Sequence, residues 1–169
     1  MNLILIGMMG SGKTSVGRRI ARRLGYRFLD TDRYIEEHTG RTIAQTFADE
    51  GEPHFRELET RLASHLHLLG NHVVATGGGM PIAPGNIDLL RGAGTVAFLD
   101  AEIDDIVARL EHDTRRPKLR EGELRETIAR LLAERRAVYE QADVTVKTAG
   151  STPSRVAGLV IRRVAEHLR

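Results

Sequence analysis

Short apolar runs alternate with longer amphipathic stretches along the whole chain. The runs predict strands at about residues 2–6, 27–30, 72–76, 95–99 and 143–147. Between them, apolar positions recur at helical spacing, as Val16, Ile20, Ala21 and Leu24 do after the first strand. Further helices are predicted as a pair over about 32–69, near 84–92, near 102–111, near 121–141 and near 152–168. This alternation predicts an α/β domain around a mainly parallel sheet. No internal repeat or low-complexity linker interrupts it, and 169 residues predict a single domain, 1–169, able to bury its own core.

Composition narrows the picture by exclusion. With 0 Cys, neither a disulfide framework nor a thiolate metal site is possible. No apolar run approaches the roughly 18 residues of a membrane span, and the N-terminus lacks the charged start and cleavage site of a signal peptide. A cytoplasmic protein with no membrane partner is expected. The 25 Lys+Arg against 23 Asp+Glu leave a net charge of +2, so a pI of about 9.3 overstates how basic the surface is. Lysine occurs only at Lys13, Lys118 and Lys147. Arginine offers a planar fork suited to carboxylate and phosphate, although genomic composition would produce the same bias. Without tryptophan, a stacking surface for single-stranded nucleic acid is poorly supplied, and no nucleic-acid partner is expected. The histidines show no metal-ligand spacing; His65 and His67 would not share a helix face.

The first predicted strand runs into Gly7-Met8-Met9-Gly10-Ser11-Gly12-Lys13-Thr14, which fits G-x-x-x-x-G-K-[ST] between strand and helix. Glycines let such a loop wrap a polyphosphate with its amides inward, and the following helix turns its positive end to the anion. Lys13 adds a mobile point charge. Thr14 supplies a hydroxyl for magnesium, a hard cation that prefers oxygen ligands.

Asp30-Thr31-Asp32 closes the second strand. If the extended geometry persists, both carboxylates project to one side beside the loop. One can order magnesium and its waters while the other accepts a proton from an attacking hydroxyl; the plainer alternative is an Asp32 N-cap on the next helix. Arg56 and Glu59, in Phe55-Arg56-Glu57-Leu58-Glu59, are three apart on a predicted helix. They form either a surface ion pair of little consequence or an arginine fixed to grip a substrate carboxylate. Gly77-Gly78-Gly79 ends the third strand, where ligands bind in open α/β sheets. It permits close backbone approach, or is a flexible connection. That strand carries no aspartate, so Asp30 and Asp32 substitute for the acidic magnesium-side residue of phosphate-loop enzymes. The polar stretch of about 112–122, with Arg115, Arg116, Lys118 and Arg120 around Pro117, reads as a lid whose arginines neutralise a phosphoryl group in transit, or as a solvated charge run.

Together GMMGSGKT, DTD, FRELE, the glycine triplet, the Arg116-Pro117 pair and RRAVY resemble the shikimate kinase family from end to end. The resemblance implies a P-loop three-layer fold similar to nucleoside monophosphate kinases, with a five-stranded parallel sheet, a substrate-binding helical section over 32–69 and a lid over 112–122. It implies transfer of the ATP γ-phosphate to the 3-hydroxyl of shikimate, with Mg2+, in aromatic amino-acid biosynthesis. Gly10, Ser11, Gly12, Lys13, Thr14 and Ser15 then correspond to the ATP phosphate cradle, Thr14 to a direct magnesium ligand and Asp30 to one acting through water. Asp32 corresponds to the base that binds shikimate hydroxyls. Arg56 and Arg135 correspond to the pair that holds the shikimate carboxylate and Glu59 to its support, with Gly77, Gly78 and Gly79 on the substrate side. Arg116 corresponds to the lid arginine that acts with Lys13 on the transferred phosphate, and Arg109 to an adenine-packing residue. Two departures stand out. The family's R-P-L becomes Arg116-Pro117-Lys118, and its R-x-P-L-Y becomes Arg135-Arg136-Ala137-Val138-Tyr139, so spacing favours Arg135 while Arg136 stays open. A monomer is expected. The rivals are a kinase for another polyol acid such as gluconate, and a module that uses ATP as a regulatory switch.

Overall fold

The computed structural model describes residues 1–111 and 121–169. The predicted lid residues Arg115, Arg116, Pro117, Lys118 and Arg120 lie outside them. Strands β1 (Leu3–Ile6), β2 (Arg27–Asp30), β3 (His72–Ala75), β4 (Thr95–Asp100) and β5 (Val144–Lys147) form one sheet in the order β2-β3-β1-β4-β5. Every neighbouring pair is parallel, as the strand–helix alternation requires. The helices are α1 (Lys13–Leu24), α2 (Thr31–Thr39), α3 (Ile43–His65), α4 (Asn86–Ala93), α5 (Ile103–Glu111), α6 (Glu121–Tyr139) and α7 (Pro153–His167).

Alternation along β1 divides the core into two. Leu3 and Leu5 join Val73, Ala97 and Leu99 under α1 and α7, with Val16, Ile20, Val156 and Val160. Ile4 and Ile6 join Val74, Val96 and Phe98 on the opposite face, against Ala63, Leu90, Ile106, Ile128 and Tyr139. A sheet covered on both faces is the reason its strands read as nearly unbroken apolar runs. Leu24 departs from its predicted role: it is 40% exposed, because α1 ends there and the chain turns at Gly25.

Two elements differ from the sequence expectation in ways that matter for the site. Strand β2 stops at Asp30 and α2 begins at Thr31, so the extended geometry does not persist through Asp32. The N-cap is Asp30, whose side chain accepts from the Arg33 amide at 3.4 Å, and Asp32 lies inside the first turn. The second half of the predicted helix pair is broken by a kink: Gly51 adopts φ 83° and ψ 167° inside α3, a torsion that glycine reaches without a Cβ penalty. Pro53 then suits the restart, since a first-turn proline lacks only an N–H that no helix bond needs.

Candidate active site

The loop between β1 and α1 takes the shape its glycines allow. Gly10 and Gly12 have φ of 74° and 95°, and α5 packs across the outside so closely that a Cβ on Gly10 would stand 3.2 Å from Ile106 and Leu110. Arg109 of α5 donates to the Gly10 carbonyl at 2.9 Å, which sets it at the rim of the loop. Ser11 is buried and its Oγ has no hydrogen-bond partner among the described residues. Ser15 is exposed on the first turn of α1. Lys13, read from the sequence as a mobile charge, is held here by the loop itself. It is 8% exposed, and its ammonium donates to the Gly7 and Met8 carbonyls at 2.9 and 2.8 Å.

Thr14 donates to Asp30 Oδ2 at 2.8 Å, so a hydroxyl and a carboxylate stand together at the loop. Both are hard oxygen donors of the kind magnesium takes. Among the described residues no group of three His, Cys, Asp or Glu could hold a metal. Such a pair fits magnesium because this ion is commonly bound by few protein oxygens, with phosphate and water completing the shell.

A second cluster, of charged side chains, is assembled from several elements. Arg56 Nη1 donates to Glu59 Oε2 at 2.6 Å, and Glu59 is only 1% exposed, which removes the reading of this pair as a surface contact. Burial pushes the Glu59 carboxyl above its usual range, with the nearby Asp32 charge adding to the rise, while Arg56 and Arg135 oppose it. Arg56 itself moves up: burial would lower it, but the hydrogen bonds it donates to Glu59 and Glu52 outweigh that. Arg135, on α6, acts on both Glu59 and the Tyr139 hydroxyl. Arg136 turns away, donating to Asp100 Oδ1 at 3.0 Å and to Glu140 Oε1 at 3.3 Å. Consecutive helical residues differ by about 100° in direction, so only one of this pair can face the cluster.

The glycine triplet is the seam between the two sides. A Cβ on Gly77 would collide with Asp32 and stand 2.9 Å from Glu59 Oε1; one on Gly79 would run into the Arg56 guanidinium; one on Gly78 would meet the Met9 amide nitrogen at 3.2 Å. None of the three needs a positive φ, so the requirement is space, not torsion. Two hydrogen bonds pin the segment, from the Gly77 amide to Thr31 Oγ1 at 2.8 Å and from the Tyr139 hydroxyl to the Gly78 carbonyl at 2.7 Å. A flexible connection would not be tied at two consecutive residues, and burial holds the Tyr139 phenol above its ordinary pKa against the pull of Arg135.

Two participants are not apparent from the sequence. Tyr139 is signalled only as the end of a motif, and its hydroxyl contact spans 61 residues of sequence. Glu52 accepts from Arg56 Nε and Nη2 at 3.1 and 2.6 Å. Its i,i+4 spacing to Arg56 is a usable signal, but the adjacent Gly51 and Pro53 disguise the helix that makes this spacing meaningful.

Comparison with known proteins bears on the whole chain. The model of the shikimate kinase family matches residues 9–165. A shikimate kinase from Geobacter sulfurreducens is 44% identical over 166 residues, 98% of this chain and 92% of that one. A shikimate kinase from Acinetobacter baumannii, solved in complex with shikimate, superposes with a TM-score of 0.91 at 34% identity, covering 98% of this chain and 93% of its own. A gluconokinase from Sinorhizobium meliloti reaches a TM-score of only 0.58 at 25% identity, with 99% and 94% covered. The family match runs through the phosphate loop, the kinked helix and the glycine seam alike, and the chain accordingly belongs to the shikimate kinase family.

Proposed function

We propose that this enzyme transfers the γ-phosphate of ATP to the 3-hydroxyl of shikimate, giving shikimate 3-phosphate and ADP. One observation carries the reading beyond family membership. The Gly77–Gly79 seam brings Asp32, Glu59 and Arg56 against one side of a backbone whose other side touches the phosphate loop at Met9. A hydroxylated, carboxylated acceptor is the ligand that needs an aspartate and an arginine together within reach of a phosphoryl donor. The complex of the Acinetobacter baumannii relative with shikimate supports the same acceptor.

In this mechanism the Gly10 to Ser15 segment receives the ATP phosphates through its amides, and Lys13 leaves the Gly7 and Met8 carbonyls to meet the transferred group. Thr14 and Asp30 would hold magnesium, which supplies charge neutralisation on the phosphates when bound. Arg56 and Arg135 hold the acceptor carboxylate, and Glu59 keeps Arg56 in place. Asp32 accepts the proton of the 3-hydroxyl as its oxygen bonds to the γ-phosphorus and the bond to the bridging oxygen of ADP breaks. Arg109 flanks the adenine side. Arg116 is assigned to the charge of the phosphoryl group in transit, in a lid over 112–122 that excludes water, by resemblance alone. We read the chain as a monomer acting as one kinase domain. Among the described residues no helix is long and apolar enough to cross a membrane.

A panel of acceptor acids in a coupled ADP-release assay tests the reading. Stimulation by shikimate is expected. Strong stimulation by gluconate with none by shikimate would replace the acceptor, and ATP binding without acceptor-dependent turnover would favour the regulatory module.

A further inference from the structure

Arg56 is flanked by two carboxylates, and they are not equivalent. Glu59 takes Nη1 from a position 1% exposed, whereas Glu52, at 64% exposed, reaches the opposite edge of the guanidinium. There a single oxygen, Oε1, accepts from both Nε and Nη2. The kink at Gly51 makes this possible. It restarts the helix so that Glu52 stands one turn before Arg56 and Glu59 nearly one turn after, all on one face.

The Nε and Nη2 edge is one of the two forks by which a guanidinium grips a carboxylate bidentately. An acceptor carboxylate approaching Arg56 therefore meets a cation that already faces two negative charges. Resting on the assignment of Arg56 to that carboxylate, we propose that Glu52 is a built-in competitor for it: a displaceable internal anion that occupies one fork of Arg56 in the unliganded protein, gives way when the acceptor arrives and thereby sets the acceptor KM. Exposure decides which carboxylate yields. A solvated partner loses little when an exposed pair opens, whereas removing Arg56 from Glu59 would strand a buried charge. Glu52 thus acts through Arg56, occupying one fork of the guanidinium until a better anion takes it.

The test is steady-state kinetics of Glu52→Gln and Glu52→Ala with two acceptors, shikimate and its neutral carboxamide, at saturating ATP. Glu52 is exposed, so both variants should fold, and thermal midpoints near that of the parent check this. For shikimate, KM is expected to fall about threefold, the size of effect an exposed ion pair commands, with kcat and the KM for ATP within about twofold of the parent. For the carboxamide, which has no charge to compete, KM should not fall. An unchanged or raised KM for shikimate would overturn the proposal, the latter showing that Glu52 aligns Arg56 and does not compete. An equal fall for both acceptors would overturn it too. If the parent enzyme does not phosphorylate shikimate at all, the failure lies with the acceptor assignment above, and the parent control separates the two.

Discussion

The donor and acceptor sides meet at the same three glycines, yet they are constructed on opposite principles. The proposed donor side is one continuous segment, Gly7 to Thr14, shaped by the backbone torsions at Gly10 and Gly12, and on this reading its amides meet the phosphates. The acceptor side gathers charged side chains from α2, α3 and α6 around Gly77 to Gly79. A phosphate can be met by amides of any sequence that turns correctly, which makes the donor side tolerant of side-chain identity outside its fixed positions. A carboxylate and a hydroxyl on one small molecule need individual charges at individual places. Substitutions should therefore affect the two sides separately.

The largest effect expected is on the chemical step. Asp32→Asn removes the proposed proton acceptor and should cut turnover by about 100- to 10,000-fold, while calorimetry should find ATP binding little changed, because the loop amides are untouched. Near-parental turnover would remove Asp32 from the base role. Lys13→Ala, on the donor side, should cost about 100- to 1,000-fold, the range for loss of one stabilising group on developing charge. That loss should be the same for every acceptor in the panel; a loss confined to shikimate would mean the two sides are not separable.

A smaller effect divides two adjacent arginines. Arg135→Gln should raise the acceptor KM by about 10- to 100-fold, the value of a hydrogen bond to a charged group, and leave the KM for ATP alone. Arg136→Gln loses a partly exposed pair with Asp100 and should cost at most about 1 kcal/mol of stability, with the acceptor KM unmoved. The reverse pattern in the kinetics would exchange their roles.

The smallest effect is on stability against pH. Burial raises the Glu59 pKa in the folded protein above its unfolded value, so the folded state holds this proton longer. The resulting stabilisation is complete below the ordinary carboxylate pKa and is lost as pH rises through that value to the raised one. Above it Glu59 is ionised in both states and the contribution is flat. Denaturant titrations of the parent and Glu59→Gln across this window should show the parent losing ground to the variant as pH rises. A parent that gains would mean that Arg56 outweighs burial.

The fold and the donor side are largely legible in the amino-acid sequence. Strand–helix alternation predicts the parallel sheet, because a strand buried on both faces shows as an apolar run and its covering helix as a 3.6-residue period. The phosphate loop is legible for a similar reason, since its chemistry lies within consecutive residues. Around Asp30 and Asp32 the reading is less complete. The sequence marks Asp30 as a magnesium-side residue but not as the cap of α2; the second strand, predicted over 27–30, ends where expected, and only the conditional extension of its geometry to Asp32 fails. Capping depends on where the chain turns, which local pattern fixes only to within a few residues.

Layer order, the donor loop and the residue types available to an acceptor follow from the succession of amino acids alone. Tertiary packing was needed to bury Glu59 and leave Glu52 exposed, although both stand within one turn or so of Arg56 on the same helix. It also turned Arg135 toward the cluster and Arg136 toward Asp100. The physical reason is that burial and direction belong to a residue's neighbours across the fold. A helical period says which residues share a face, and the packing of α3 and α6 around the glycine seam says what that face meets.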